Sequence, residues 1–220
     1  MEHIYILNIT PLKDEAIYWD YYNQMPEERR KKVADYKMQA DRLRSLGAGI
    51  VLNAILKQYG LDPRETWLEY GPNGKASIAG RPDIHFNLTH SGAFAAGAWG
   101  DSPVGIDIEE IRGMKERTFR RFFHEGEYKY MEGVEEEEER REAFFRLWVL
   151  KESFMKATGL GMRLPLNAFE IRFKGQGIEV IQDVDDMQYY FKEFTFENSR
   201  LAVCSGGCPV AGWELAWITL

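Results

Sequence analysis

From His3 to Thr10 the residues alternate as His-Ile-Tyr-Ile-Leu-Asn-Ile, the two-residue period of a strand with one buried face. Asp14 offers a carboxylate suited to a helix N-terminus, so a helix is expected to begin near it. Pro26 opens a second helix, with Glu27 and Glu28 in the first turn and Arg29, Arg30, Lys31 and Lys32 just after, the order of charge that a helix dipole favours. A long apolar helix is predicted from Leu46 to Tyr59. Arg42, Arg44 and Ser45 stand at its start, which sets two helix beginnings where they can converge on one anion. Tyr70-Gly71-Pro72-Asn73-Gly74-Lys75 has turn chemistry and lifts Lys75 toward solvent.

Three strands follow, Ile84 to Thr89, Ala93 to Trp99 and Val104 to Ile111, and these are expected to form a central sheet. Helical segments from Lys115 to Glu132 and an acidic run, Glu135 to Glu139, read as a solvated loop or helix start, come next. Phe144, Leu147, Leu150, Phe154 and Ala157 then recur at helical spacing, flanked by Trp148 and Met155, until Gly159 and Gly161 end the helix. Lys151 falls inside its apolar arc, whereas Glu152 and Lys156 lie one turn apart on the flank. An unpartnered buried lysine is costly, so either Lys151 reaches an anion through the fold or the helix is half covered. The bland reading of Glu152 and Lys156 is an ordinary pair worth a few tenths of a kcal/mol. From Phe169 onward strands return: Phe169 to Phe173, a Lys174-Gly175-Gln176-Gly177 turn, Ile178 to Ile181, Gln188 to Phe196, Arg200 to Cys204 and Trp213 to Thr219.

The order strand, helices, strands, then helices, strands predicts an α+β fold of two similar halves, 1–103 and 104–220, meeting near Pro103. With 45% hydrophobic and 14% aromatic residues, the 220-residue chain has enough apolar material for a proper core. No apolar run approaches the ~20 residues of a membrane span, and the first ten residues hold no Lys or Arg, so a cytoplasmic protein is expected. A net charge of -7 argues against broad binding to nucleic acid or anionic lipid, leaving any anionic ligand to a local basic cluster. Cys204 and Cys208 have no nearby histidine to complete a zinc site and read as core or turn thiols.

Val104-Gly105-Ile106-Asp107-Ile108-Glu109 alternates cleanly, placing Val104, Ile106 and Ile108 toward a core and Gly105, Asp107 and Glu109 on the other face. Two carboxylates so spaced, roughly 7 Å apart at the backbone, approach one cation, and Gly105 leaves room beside them. Mg2+ suits one or two carboxylates plus substrate phosphates and would accept Glu152 as a third. The plainer reading is the solvent face of a strand. His90, with hydroxyls on either side in Thr89 and Ser91, ends a strand where sheets present ligand-binding groups, while His85 is left as structural. No Gly-x-Ser-x-Gly elbow is present, which disfavours acyl hydrolysis.

Together, Phe86-Asn87-Leu88-Thr89-His90-Ser91, Gly105-Ile106-Asp107-Ile108-Glu109 and Trp148-Val149-Leu150-Lys151-Glu152-Ser153, in that order and separation, closely resemble the 4'-phosphopantetheinyl transferases. The long, monomeric Sfp type that activates peptide synthetases is the one they look like. The resemblance extends over Tyr70 to Lys75, Arg121-Phe122-Phe123, Glu127-Tyr128 and Leu164-Pro165-Leu166. It implies a pseudo-twofold pair of α+β halves with coenzyme A between them. It also implies transfer of the phosphopantetheine arm to a serine of an acyl- or peptidyl-carrier protein of peptide, polyketide or fatty acid synthesis.

By motif, Asp107, Glu109 and Glu152 resemble carboxylates for Mg2+, or Mn2+ in its place, and Lys156 and His90 resemble donors to the pyrophosphate. Arg29 and Lys32 match the cations around the 3'-phosphate once the register slides by one residue past Glu28, and Arg44, Ser45, Lys75, Thr89 and Lys151 fall at other coenzyme A contacts. Glu152, directly or through a metal-bound water, is the base that takes the serine proton. Phe122, Phe123, Tyr128 and Met131 offer the carrier an apolar dock, although aromatics so spaced more often belong to a core. Two rivals remain: a Mg2+-dependent coenzyme A or nucleotide pyrophosphohydrolase, which would use the same carboxylates with water as nucleophile, and a coenzyme A binding module without catalysis, which would keep the basic residues without needing Asp107, Glu109 and Glu152 together.

Overall fold

The computed structural model describes residues 2–113, 122–175 and 177–220. The expected helical stretch between 115 and 121, with Arg121 of the resemblance, and Gln176 lie outside the described residues. The first half runs β1 (Glu2–Asn8), α1 (Glu15–Gln24), α2 (Glu27–Asp35), α3 (Gln39–Gln58), a hairpin of β2 (Leu68–Tyr70) and β3 (Ala76–Ile78), then β4 (His85–Ser91) and β5 (Phe94–Gly100). The second runs β6 (Val104–Glu110), α4 (Glu125–Glu132), α5 (Glu137–Thr158), a hairpin of β7 (Glu170–Lys174) and β8 (Gly177–Ile181), then β9 (Tyr189–Phe196) and β10 (Ser199–Gly206). Each half thus repeats strand, helices, long helix, hairpin and two strands, and its sheet takes the same antiparallel order, β1-β5-β4 in one and β6-β10-β9 in the other. The last strand, β11 (Glu214–Ile218), breaks the repeat: it leaves the second half and pairs parallel with β1.

Local chemistry explains the helix ends. The Asp14 carboxylate accepts the N–H groups of Ala16 and Ile17 and so caps α1. Gly159, at φ 72°, ends α5 in the left-handed region that glycine enters without steric cost. Helix α3 begins at Gln39, not Leu46. Its first turns carry Gln39, Asp41, Arg42 and Arg44 on partly open surface, so no apolar period announces them, and Arg42, Arg44 and Ser45 lie inside the helix instead of ahead of it.

The layers are helix, sheet, sheet, helix. Leu46, Val51 and Ile55 of α3 pack with Leu7 and Ala95 on the outer face of the first sheet. Leu147, Leu150 and Phe154 of α5 pack with Ala202 and Cys204 on the outer face of the second. Between the sheets lies a third cluster, including Ile4, Ile6, Ala96 and Ala98 from one and Val104, Ile106, Ile108 and Val203 from the other.

The three middle strands do not make one sheet. β6 starts the second sheet, and it meets edge strand β4 through side chains: Asn87 Oδ1 accepts the N–H of Ile106 at 2.9 Å, Thr89 Oγ1 that of Ile108 at 3.4 Å, and Ser91 Oγ that of Glu110 at 3.2 Å. Alternation directs all three side chains at β6, which satisfies outward N–H groups that a neighbouring strand would otherwise take.

Two contacts seat α5. A Cβ on Gly105 would lie 2.0 Å from the Ser153 carbonyl oxygen and 2.4 Å from the Ala157 nitrogen, so the room that Gly105 leaves is filled by helix backbone, not kept open for a cation. On the far side, Lys151 is wholly buried and donates to Glu127 Oε1 at 2.5 Å and to the Phe169 carbonyl at 2.8 Å. Glu127 also accepts the N–H groups of Ile171 and His124. Burial lowers the Lys151 ammonium to about 8 and raises the Glu127 carboxyl. The anion that Lys151 reaches through the fold is therefore protein, and the coenzyme A contact expected of it is corrected: its charge faces the second core.

Because the three nearest atoms that a Gly105 side chain would meet, the third being the Lys156 carbonyl carbon at 2.9 Å, are all backbone, Gly105→Ala is expected to force α5 off β6 and to cost about 3 kcal/mol or more, measured by urea denaturation. A loss under about 1 kcal/mol would mean the contact relaxes freely.

Candidate active site

A cavity of about 550 Å³ opens beside the β4–β6 seam, walled by both halves. Strand β4 is an edge, so its two faces present different residues to it: Phe86, Leu88 and His90 from the α3 side, Asn87 and Thr89 from the seam side. Asp107 and Glu109 come from β6, and Trp148, Glu152 and Lys156 from successive turns of α5. Arg29 and Lys32 of α2, Ser45 of α3 and Lys75 of the hairpin complete the wall.

Of the candidate ligands named from the sequence, Arg42, Arg44 and Lys151 do not line it, and Arg42 instead donates to the Tyr36 carbonyl. Arg44 pairs with Asp41 and lines a smaller recess with Ile9, Lys13 and Gly92, because seven residues of α3 precede Leu46 and rotate Arg44 away. Lys75 lines the cavity, but it is half-buried instead of lifted to solvent, and its ammonium donates to the carbonyls of Lys156, Ala157 and Val104.

The acidic end is built around Asp107. Its Oδ1 accepts from Lys156 Nζ at 2.6 Å and from Thr89 Oγ1 at 3.2 Å, while its Oδ2 is buried with no partner among the described residues. Lys156 also donates to the Ile106 carbonyl at 3.1 Å, so its ion pair runs across to β6 and not along the helix to Glu152. Glu109 accepts from Ser91 Oγ at 2.8 Å. Burial raises the carboxyls of Asp107, Glu109 and Glu152 above the ordinary range, and their mutual repulsion adds to it at Glu109 and Glu152. An orphaned buried carboxylate oxygen beside two repelling carboxylates fits a hard divalent cation. Among the described residues no three such groups already enclose a metal site, but Mg2+ needs only one or two carboxylates when water and phosphate fill its remaining positions.

The basic end also holds buried donors whose chemistry fits an anion. Arg29 Nη2 donates to the Ser45 carbonyl at 2.8 Å, yet Arg29 Nε and Ser45 Oγ are both buried without partners among the described residues. Burial holds the Arg29 guanidinium below its ordinary value, and burial with Arg29's charge does the same to the Lys32 ammonium. Glu28, one residue along, is exposed and lies outside this wall. Between the two ends His90 is held below its ordinary value by burial first, then by the charges of Arg44, Lys156 and Arg29.

Sequence reasoning passed over the cavity's apolar wall, where Tyr36, Leu68, Tyr70, Phe86 and Trp148 stand. Trp148 was read as a helix flank, and only the β4 edge and the hairpin show that this flank faces a cavity. The signal that was available lay in Asn87, Thr89 and Ser91, three short polar residues alternating in one strand. Of the proposed apolar dock, Phe123 and Met131 are buried in the second core, Tyr128 packs against it, and Phe122 is exposed.

A family model described as the 4'-phosphopantetheinyl transferase superfamily matches residues 103–204. A 4'-phosphopantetheinyl transferase of Bacillus subtilis is 35% identical over 182 residues, covering 81% of this chain and 80% of that one. The 4'-phosphopantetheinyl transferase Sfp of Bacillus subtilis (strain 168) is 33% identical over 182 residues, covering 82% and 81%. Among solved structures, a holo-(acyl-carrier-protein) synthase from Bacillus anthracis str. Ames is similar to 48% of this chain and 95% of that chain, at 21% identity and a TM-score of 0.43. With a third of its residues shared across four-fifths of its curated relatives, the chain belongs to the 4'-phosphopantetheinyl transferases, of the Sfp type.

Proposed function

We propose that the cavity takes coenzyme A and that the chain moves its 4'-phosphopantetheine arm to a serine hydroxyl of an acyl- or peptidyl-carrier protein, releasing adenosine 3',5'-bisphosphate. The observation that carries this reading is the pairing, in one cavity, of an acidic end whose buried Asp107 Oδ2 has no partner among the described residues with a basic end whose buried Arg29 Nε and Ser45 Oγ have none. Every group invoked comes from one chain, in halves 1–103 and 104–220, so the enzyme is proposed to act as a monomer. Its two cysteines are unpaired, which suits the reducing cytoplasm.

Arg29, Lys32 and Ser45 are assigned to the 3'-phosphate: the unpaired Arg29 Nε and Ser45 hydroxyl are donors already desolvated. His90, Lys156 and Thr89 are assigned to the pyrophosphate, where a phosphate oxygen replaces Asp107 as partner of Lys156. Asp107, Glu109 and Glu152 would hold Mg2+, or Mn2+ in its place, whose charge offsets that of the pyrophosphate. Glu152, with its basicity raised by burial, takes the serine proton. The serine oxygen bonds to the β-phosphorus as the bond from phosphorus to the bridging oxygen breaks, and Lys156 faces the charge growing on that leaving oxygen.

Incubation with coenzyme A, Mg2+ and an apo-carrier protein is expected to add one phosphopantetheine arm by mass spectrometry. Coenzyme A cleaved at the same rate without carrier would mean hydrolysis instead. Glu152→Gln keeps the shape but removes the base, so single-turnover transfer should fall about 100-fold or more with coenzyme A affinity little changed.

The metal assignment has a readout that needs no turnover. Carboxyls raised in the folded state contribute stability that is present at low pH and lost as pH climbs through their raised values. A cation restores it, so Mg2+ at ten times its Kd should add about 1.4 kcal/mol, or about 3–6 °C of Tm, at pH 7.5 and much less at pH 5. An Asp107→Ala variant that shows the full shift would overturn the assignment.

His90 gives the third test. Its value is lowered in the free protein and rises when an anion enters, so the bound form holds more protons and affinity strengthens as pH falls toward the free value. Calorimetry in buffers of different ionisation enthalpy should detect net proton uptake at pH 6.5, reduced in His90→Gln; identical uptake in the variant would exclude His90.

A further inference from the structure

The last turn of α5 has its carbonyls satisfied from the other half of the molecule. The Met155 carbonyl accepts Thr158 Oγ1 at 2.9 Å, but those of Lys156 and Ala157 accept Lys75 Nζ at 2.7 and 2.9 Å, and that of Gly159 accepts Asn73 Nδ2 at 3.0 Å. Lys75 Nζ donates its third hydrogen to the Val104 carbonyl at 3.1 Å. An ammonium has three donors and no acceptor, so the Lys75 side chain is saturated and has none left for a phosphate, although the residue lines the cavity. A cation is also the charge that a helix C-terminus favours.

We infer that the turn 71–75 is the C-cap of the helix carrying Glu152 and Lys156, and that Lys75 is a positioning residue for the reaction and not a ligand of the substrate's phosphates. One nitrogen ties the hairpin to both elements that supply carboxylates. Val104 is the first residue of β6, three before Asp107, and Lys156 presents its carbonyl to Lys75 while its own ammonium holds Asp107. Next to Val104, Gly105 is where α5 lies directly on β6, so Lys75 pins the end of that contact. Releasing it lets the last turn move and shifts Lys156 against Asp107, and misplacement by about 1 Å is enough to cost about 100-fold in rate. Gly74 and Ala76 of the same segment line the cavity, so substrate packed there bears on the cap as well.

The inference rests on the transferase reading, and its test separates the two. Lys75→Met keeps the stem and removes the donors. At a temperature well below its Tm, saturating single-turnover transfer should fall about 10- to 100-fold while coenzyme A Kd changes less than about three-fold. Amides of the last turn of α5 should exchange about ten-fold faster, with the rest of the chain unchanged. A Kd weakened about ten-fold with the saturated rate kept would make Lys75 a ligand contact, and a lower Tm with rate and Kd both kept would make it structural only; either overturns the proposal. If Lys75→Met does not fold, Asn73→Ala removes the single bond to Gly159 and should give the same split at about two- to five-fold; an unchanged rate overturns it. Wild-type protein that transfers nothing to any carrier would end the transferase reading, and hydrogen exchange alone would then judge the cap: protection lost in Lys75→Met upholds it, protection kept overturns it.

Discussion

Three side chains of β4 do the joining of this molecule. Asn87, Thr89 and Ser91 accept successive N–H groups of β6, so two edge strands meet without a backbone ladder. Two of these hydroxyls also face the carboxylates: Thr89 donates to Asp107 and Ser91 to Glu109. A hydroxyl has one hydrogen to give and lone pairs to receive, and here the acceptor side joins the halves while the donor side aims the acids. Had the strands zipped through their backbones, they would stand about 4.8 Å apart with no space between the sheets for the cavity mouth. Assembly of the two halves and orientation of the acidic end are therefore one interaction.

The second constraint is the depth of α5. Gly105 lets helix backbone touch strand backbone, Lys151 anchors the far face to Glu127, and Lys156 reaches back across to Asp107. Two lysines on one helix thus carry opposite assignments. Lys151 is neutralised inside the core by a partner that two N–H groups hold in place, whereas Lys156 sits at a cavity wall with an acid whose second oxygen has no partner among the described residues. Burial is costly for both, and only at Lys156 does the arrangement leave room for an exchange of partners.

Much of this was legible in the sequence. Alternation placed Asp107 and Glu109 on one face of β6, the apolar arc and Gly159 drew α5, and Asp14 marked the start of α1. The repeat of element order was visible in outline, as strand, helices and strands followed by helices and strands, while the β2–β3 hairpin around residues 71–75 was visible only as a turn. What escaped was non-local. Lys151 finds an acid 24 residues away, Lys75 finds carbonyls on the opposite half, and β6 belongs to a sheet whose other members come some 80 residues later. The first turns of α3 escaped for a local reason: a helix start on open surface has no apolar period to read.

The return of β11 to β1 gives the chain an order of assembly. Tyr5 faces Ala216 across that parallel pair, so the first sheet gains its outer strand only after both halves have been made. On the ribosome, the first half emerges with one flank of β1 uncovered, and a bare strand flank invites pairing with other chains. Closing so long a loop is slow as well as late, so this seam, remote from the cavity, is one that a nascent chain leaves open and sticky for longer than a local hairpin.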